Sequence, residues 1–166
     1  MRLELVTPES DTLVVLERPN KPNAIIVDID GTVADISHRL QHIKKEDQDW
    51  DSFYALCTED KPIPEMVELV TALNRDNDIL FLTGRNQSTE FATRKWLREH
   101  FPFYWVLFMP RGREDYGWDK DIKRGCYLSK IAPLYNVKMV LEDRDQCVKM
   151  WRGLGLRTLQ VTDGDF

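Results

Sequence analysis

Residues 25–32 read Ile25-Ile26-Val27-Asp28-Ile29-Asp30-Gly31-Thr32, an apolar strand that runs into two carboxylates one residue apart and then a glycine turn. An unpaired carboxylate is costly to bury, so a strand that delivers Asp28 at its very end is building a site. The pattern suits phosphoryl transfer through an aspartyl-phosphate. Asp28 is placed to act as the nucleophile, and Asp30, just past the strand where the backbone can turn, to handle the leaving group's proton. Gly31 permits the tight turn, and the Thr32 hydroxyl can orient the loop. Asp-Gly is also a common turn pair, so the segment alone reads equally well as a plain strand-to-turn junction.

Three further segments bear on that choice. Residues 79–85, Ile79-Leu80-Phe81-Leu82-Thr83-Gly84-Arg85, form a second apolar run that ends in a hydroxyl, a glycine and a cation. Those groups suit a phosphate oxygen at a strand end, although Thr-Gly-Arg by itself is also an ordinary turn. Asp119 to Lys123 opens a helix-like stretch in which Lys123 can neutralise phosphate charge, where a single helical lysine is usually just solvated. Residues 137–143 form a strand ending in Glu142-Asp143. Adjacent like charges call for water or a cation, and hard oxygen ligands favour Mg²⁺. Three of these four groups stand at the ends of apolar strands. In an open parallel sheet the carboxyl ends of the strands meet at one site.

In this order, Asp28-Ile29-Asp30-Gly31-Thr32, Thr83-Gly84-Arg85, Lys123 and Glu142-Asp143 resemble the four motifs of the haloacid dehalogenase (HAD) superfamily of phosphotransferases. The resemblance extends over about residues 20–166 to the 3′-phosphatase domain of bacteriophage polynucleotide kinase-phosphatase. It is carried by the run from Lys21 to Asp28, by Ile131-Ala132-Pro133, by Asp143-Arg144 with Gln146, and by Asp163-Gly164-Asp165-Phe166. It implies an α/β Rossmann-like parallel sheet with helices on both faces and a small cap insertion at about 33–63. It implies Mg²⁺ held by Asp28, Asp143 and the backbone carbonyl of Asp30. Phosphate or substrate binding would fall to Thr32, Arg39, Thr83, Gly84, Arg85 and Lys123, with Asp119 and Glu142 supporting the metal or the lysine. Two departures are modest: Thr83 stands where the phage enzyme has serine, and Glu142 replaces an aspartate, which makes Asp143 the safer metal ligand. No Gly-x-x-x-x-Gly-Lys-Ser/Thr loop occurs in these residues, so 5′-kinase activity is not expected.

With 166 residues, 42% of them hydrophobic, the chain can bury one substantial core. No apolar run approaches membrane-spanning length, and the first residues lack a charged-then-apolar secretory pattern. Cys57, Cys126 and Cys147 have no metal-binding spacing, which points to a reducing, cytoplasmic setting. The net charge of −5 argues against a broad basic surface for duplex nucleic acid. A local track is still available: Arg111 and Arg113 follow the apolar run 105–108, and Arg39, Arg85, Lys120, Lys123 and Arg124 can add to it. Trp118, beside Asp119, is a candidate for stacking on a base.

Residues 1–20 form an extension of unknown role, with a possible edge strand at Thr12–Leu16, and residues 21–166 form the phosphatase-like domain. From residue 24 onward apolar strands alternate with helical patterns, the signature of a parallel sheet covered on both faces. Pro64 fits the first turn of a helix that carries Met66, Val67, Val70 and Leu73 on one face. Residues 87–99 form a second helix with Phe91, Ala92 and Trp96 turned inward. Helices at about 119–135 and 144–153 and a strand near 156–161 complete the pattern. His38 and His42 have the i, i+4 spacing of a metal pair, but no third ligand is evident.

The expected activity is Mg²⁺-dependent removal of 3′-phosphate from DNA or RNA ends, in nucleic-acid repair and beside a separate kinase or ligase. A phosphatase of small nucleotides or sugar phosphates shares the same four motifs. A catalytically silent binding module is the reading from a different class, which the full set of catalytic groups disfavours.

Overall fold

The computed structural model describes residues 21–44, 47–113, 115 and 117–164. The strands are β1 (Asn23–Val27), β2 (Ala34–Asp35), β3 (Lys61–Pro62), β4 (Asp78–Leu82), β5 (Trp105–Phe108), β6 (Asn136–Arg144) and β7 (Thr158–Gly164). Five of them form one sheet in the order β5-β4-β1-β6-β7, with every pairing parallel. The chain builds outward from β1 to β4 and β5, then crosses back to lay β6 and β7 on the other side. That reversal makes the carboxyl end of β1 a topological switch point, where ligands bind in open α/β sheets.

Alternation along β1 sorts its side chains into two cores. Ile25 and Val27 join Ile79, Phe81 and Leu141 on one face, under Val70 of α2 (Pro64–Leu73) and Trp96 and Leu97 of α3 (Glu90–His100). Ala24 and Ile26 join Leu80, Leu82 and Val140 on the other, under Cys126 of α4 (Asp119–Cys126) and Cys147 and Trp151 of α5 (Asp145–Gly153). A strand buried on both faces reads as a continuous apolar run, which is why residues 24–27 carry no polar member. Val27 pairs with Phe81 on β4 and with Leu141 on β6, so the next residues of all three strands emerge together.

Pro64 begins α2, with Val70 buried and Met66, Val67 and Leu73 packed beside it. α3 turns a different face inward from the one its apolar residues suggest. Trp96 is buried, but Phe91 is 82% exposed. The inward stripe is Thr93, Trp96 and Leu97 at i, i+3 and i+4, which leaves a residue two before Thr93 on the outer side. α4 also ends earlier than the apolar pattern suggests: it passes into a π-helical turn, Tyr127–Ile131, ahead of Pro133. The last strand runs to Gly164 rather than stopping near 161. The strand expected at Thr12–Leu16, and Asp165-Phe166, lie outside the described residues.

Between Thr32 and Pro64 the chain leaves the sheet. β2 and β3 pair antiparallel, and between them lie a 3₁₀ turn at Leu40–His42 and α1 (Trp50–Ala55), capped by Asp49, whose carboxylate accepts from the Ser52 N–H at 2.9 Å. Ile36, Ile43 and Phe53, with Leu40, Trp50 and Tyr54, form a small core separate from those of the sheet. No helix of the described residues is long and apolar enough to cross a membrane.

Candidate active site

Asp28 follows β1, Thr83 follows β4, Glu142 and Asp143 lie near the end of β6, and Asp119 and Lys123 lie on α4. All of them are buried, and they meet beyond the strand ends. Lys123 is the hub. Its ammonium donates to Asp28 Oδ1 at 2.7 Å and to Glu142 Oε2 at 2.9 Å, and it lies 3.2 Å from Asp119 Oδ2. An ammonium has three protons, so three carboxylates occupy it completely.

Four acids around one lysine leave an excess of negative charge. Oxygens of Asp28, Glu142 and Asp143 lie within 4.8 Å of one another, a set able to hold a metal ion. Burial pushes the Asp28 carboxyl well above its ordinary range, against the attraction of Lys123 and with repulsion from Glu142 and Asp143. Asp143 is raised to about 7, by burial first and by Glu142 next. Lys123 is held charged above its usual range because Asp119, Asp28 and Glu142 outweigh its own desolvation. Asp119 moves the other way: Lys123 and Arg144 hold it below the ordinary range despite its burial.

The members of the cluster are not equivalent. Glu142 Oε2 also accepts from the Trp151 indole at 3.3 Å, so that oxygen is committed to positioning Lys123. Asp143 Oδ1 lies 3.4 Å from the Thr32 hydroxyl, while its Oδ2 is buried without a hydrogen-bond partner among the described residues. A buried, unpartnered carboxylate oxygen beside two other acids fits a hard cation better than any protein donor present.

Two glycines make the close approaches possible. Gly31 has φ +83°, and a β-carbon there would collide with Asp143 Oδ2. At Gly84 a β-carbon would collide with Asp119 Oδ1. Gly84, expected on the phosphate, therefore makes room for the acid that partners Lys123. Thr83 Oγ1 accepts from the Arg85 N–H at 3.1 Å and lines the pocket.

Arg39 and Arg85 depart most from expectation. Both were expected to touch phosphate or substrate, yet both are fully buried with their donors directed elsewhere. Arg39 Nη2 and Arg85 Nη2 each donate to Asp30 Oδ1 at 2.6 Å. Both also bond Asp60: Arg39 Nε to Oδ1 and Nη2 to Oδ2 at 2.7 Å, and Arg85 Nη2 to Oδ2 at 2.6 Å. Arg85 also donates to the Thr93 hydroxyl at 3.2 Å. The two guanidiniums hold Asp30 well below the ordinary carboxylate range against strong desolvation. Asp60, which carries no recognisable motif, completes this buried group of two acids and two cations. His38 Nε2 lies 3.0 Å from Asp60 Oδ1, which gives that histidine a partner other than His42.

Arg111 is likewise committed. Its Nε donates to the Gly84 carbonyl at 2.6 Å, its Nη1 to the carbonyls of Asp115 and Gly117 at 3.0 and 2.9 Å, and its Nη2 lies 3.6 Å from Asp119 Oδ1. It pins the loop before α4 instead of offering a free cation to a strand. Arg113 is exposed. Trp118 is 69% exposed at the rim. Arg111 and Trp118 line a pocket of about 790 Å³, with Asp28, Asp30 and Lys123 in its polar wall and Ile36, Trp50, Phe53 and Tyr54 in its apolar wall.

A family model described as the polynucleotide kinase PNKP phosphatase domain matches residues 22–166. The chain belongs to the PNKP phosphatase-domain family. A protein of Autographa californica nuclear polyhedrosis virus, provisionally assigned as a bifunctional polynucleotide kinase/RNA ligase, is 29% identical over 140 residues, 83% of this chain and 19% of that protein. A chain of the Pnkp1/Rnl/Hen1 RNA repair complex superposes with a TM-score of 0.76 at 28% identity, over 88% of this chain and 44% of that one. The haloacid dehalogenase-like hydrolase SP0104 of Streptococcus pneumoniae shares the fold, with a TM-score of 0.54 at 16% identity over 81% of this chain and 82% of that one. The chain thus spans a fifth of its viral relative and less than half of the repair-complex chain. As a PNKP phosphatase domain it is a HAD-type phosphatase.

Within this PNKP phosphatase domain, Asp60 is the residue that sequence reading missed. Asp60→Ala leaves two buried guanidiniums sharing one carboxylate, and breaking a buried pair in this way costs about 3–5 kcal/mol. Urea unfolding should show that loss, whereas stability within about 1 kcal/mol of the parent would mean that Asp60 is not needed to balance the arginines.

Proposed function

We propose that this domain is a Mg²⁺-dependent polynucleotide 3′-phosphatase that removes 3′-phosphate from DNA or RNA ends through a phosphoenzyme at Asp28. The observation that carries the reading is the buried cluster of Asp28, Glu142 and Asp143, the first two bonded to Lys123, next to an Asp30 held ionised by two arginines. The family match and the kinase, ligase and RNA-repair names of its relatives support a nucleic-acid end as substrate. They also support a place beside kinase and ligase activities supplied by other domains or chains.

Asp28, Asp143 and the Asp30 backbone carbonyl would hold Mg²⁺. When bound, the cation neutralises carboxylate and phosphate charge at the reacting centre. An Asp28 oxygen attacks phosphorus, the bond from phosphorus to the 3′-oxygen breaks, and Asp30 gives that oxygen its proton. In the free enzyme Asp30 is ionised, so the proton it donates arrives with the substrate. A phosphomonoester has its second pKa near about 6 and carries a proton in its monoanion. The incoming phosphate charge also raises the proton affinity of Asp30. In the second half, Asp30 takes a proton from water as that water attacks phosphorus, freeing Asp28 and inorganic phosphate. Thr83 and Lys123 stabilise the phosphoryl oxygens, with Lys123 turning from Asp28 to the phosphate. Arg39 and Arg85 act through Asp30, and Asp119 and Glu142 act through Lys123.

The test is phosphate release with Mg²⁺ from a 3′-phosphorylated oligonucleotide, its 5′-phosphorylated counterpart and free nucleotides. A strong preference for the 3′-phosphorylated oligonucleotide is expected, as is loss of turnover in Asp28→Asn with the fold intact. Equal or better turnover of free nucleotides would move the function to small-molecule metabolism, and substantial activity in Asp28→Asn would end the covalent mechanism.

Metal binding should also depend on pH. The raised proton affinities of Asp28 and Asp143 mean that the metal-free fold binds more protons than the unfolded chain above the ordinary carboxylate range. Its stability therefore falls as pH rises towards about 7, where Asp143 ionises. Asp30 and Asp119, shifted downward, act in the opposite sense and only at more acid pH. Mg²⁺ competes with those protons, so it should raise the melting temperature more at about pH 8 than at about pH 5.5. An equal or smaller shift at the higher pH would contradict this ligand set.

A further inference from the structure

Beside the catalytic pocket lies a second depression of about 510 Å³, lined by Lys120 and Asp121 of α4 and by Arg144, Asp145, Gln146 and Lys149 at the start of α5. Arg144 and Gln146 line both pockets and form the wall between them. We infer that this depression is the subsite for the next phosphate of the strand, the one on the 5′-oxygen of the terminal nucleoside, and that it makes the enzyme prefer a polynucleotide over a mononucleotide. The inference rests on the 3′-phosphatase reading above.

Charge and geometry carry it. Three cations face two acids here, and Asp145 Oδ1 already accepts from the Gln160 amide at 2.6 Å. Lys149 is exposed and makes no hydrogen bond or ion pair among the described residues. Lys120 has only a distant ring contact, its ammonium lying 5.8 Å from the Trp118 centroid. Of the other cations expected to grip a strand, Arg39 and Arg85 are committed to Asp30 and Asp60, Arg111 to backbone carbonyls and Lys123 to acids, while the exposed Arg113 and Arg124 line neither pocket. Among the described residues, the ammonium groups of Lys120 and Lys149 carry no hydrogen bond or ion pair at the edge of the pocket. Gln146 Oε1 is buried on the shared wall without a partner among the described residues. Its amide is placed to bond the sugar that joins the two phosphates, through the carbonyl or, after rotation, through the NH₂ group. A nucleoside 3′-monophosphate ends inside the first pocket, whereas a strand must pass Arg144 and Gln146 and bring its next phosphate to the lysines. The terminal base would then lie against the cap wall of Trp50 and Tyr54.

The experiment compares kcat/KM for a 3′-phosphorylated oligonucleotide with that for a nucleoside 3′-monophosphate, in the parent, in Lys149→Ala and in Lys120→Ala/Lys149→Ala. The monophosphate reaction, which does not reach the lysines, serves as the folding control. The ratio should favour the oligonucleotide in the parent and fall roughly tenfold in the double variant, with the salt dependence flattening by roughly 0.7 per lysine removed. Lys149→Arg should keep the ratio. An unchanged ratio and salt slope in the double variant would overturn the subsite while leaving the 3′-phosphatase reading in place, whereas a parent without oligonucleotide preference would overturn both. No turnover of either substrate by the parent would overturn both.

Discussion

One buried ammonium holds the catalytic end of this molecule together. Lys123 bonds the residue after β1, the residue one turn earlier on α4 and the acid near the end of β6. Two of these contacts tie α4 to the ends of β1 and β6, so the lysine fixes their relative positions as well as their charges. Its attraction does not balance four carboxylates: burial first, and repulsion from Glu142 after it, raise the proton affinities of Asp28 and Asp143. Such an excess of negative charge suits the proposed cation and then a phosphate. Charge strain of this kind is a common way for function to depart from the most stable arrangement.

The second charge cluster does a different job. Asp30 sits against two guanidiniums that are themselves neutralised by Asp60. Asp28 and Asp30 are one residue apart in sequence, yet their proton affinities are driven in opposite directions. In the proposed mechanism that separation divides the nucleophile from the proton carrier. The separation arises from neighbours brought in by β4 and by the segment that crosses from β2 to β3. The two clusters therefore depend on the same sheet register that aligns Val27 with Phe81 and Leu141.

Much of this was legible because it lies in short local patterns. Ile25-Ile26-Val27 must be a strand buried on both faces, and an acid directly after it must sit at the sheet end. The order of Asp28, Thr83, Lys123 and Asp143 then placed these groups together, because parallel strands share a carboxyl end. What stayed hidden depends on contacts distant in the chain. Asp60, in Thr58-Glu59-Asp60-Lys61-Pro62, looks like a turn acid. Only its partners 21 and 25 residues away, Arg39 and Arg85, reveal its role. Gly84 read as a phosphate-loop glycine because its tight approach to Asp119 is a property of packing. Phe91 was read as inward because it is apolar, although the helical phase set by Thr93, Trp96 and Leu97 puts it outside.

The account stands on a covalent bond between Asp28 and phosphorus. An acyl-phosphate is reduced by borohydride to the alcohol, which converts a phosphorylated aspartate to homoserine. The direct measurement is acid quench of the enzyme during turnover of a 3′-phosphorylated oligonucleotide, borohydride treatment and peptide mass mapping. The account predicts homoserine at position 28 and at no other acid, dependent on substrate. Unmodified Asp28 under conditions of rapid turnover, or homoserine at Asp30, Glu142 or Asp143 instead, would contradict it.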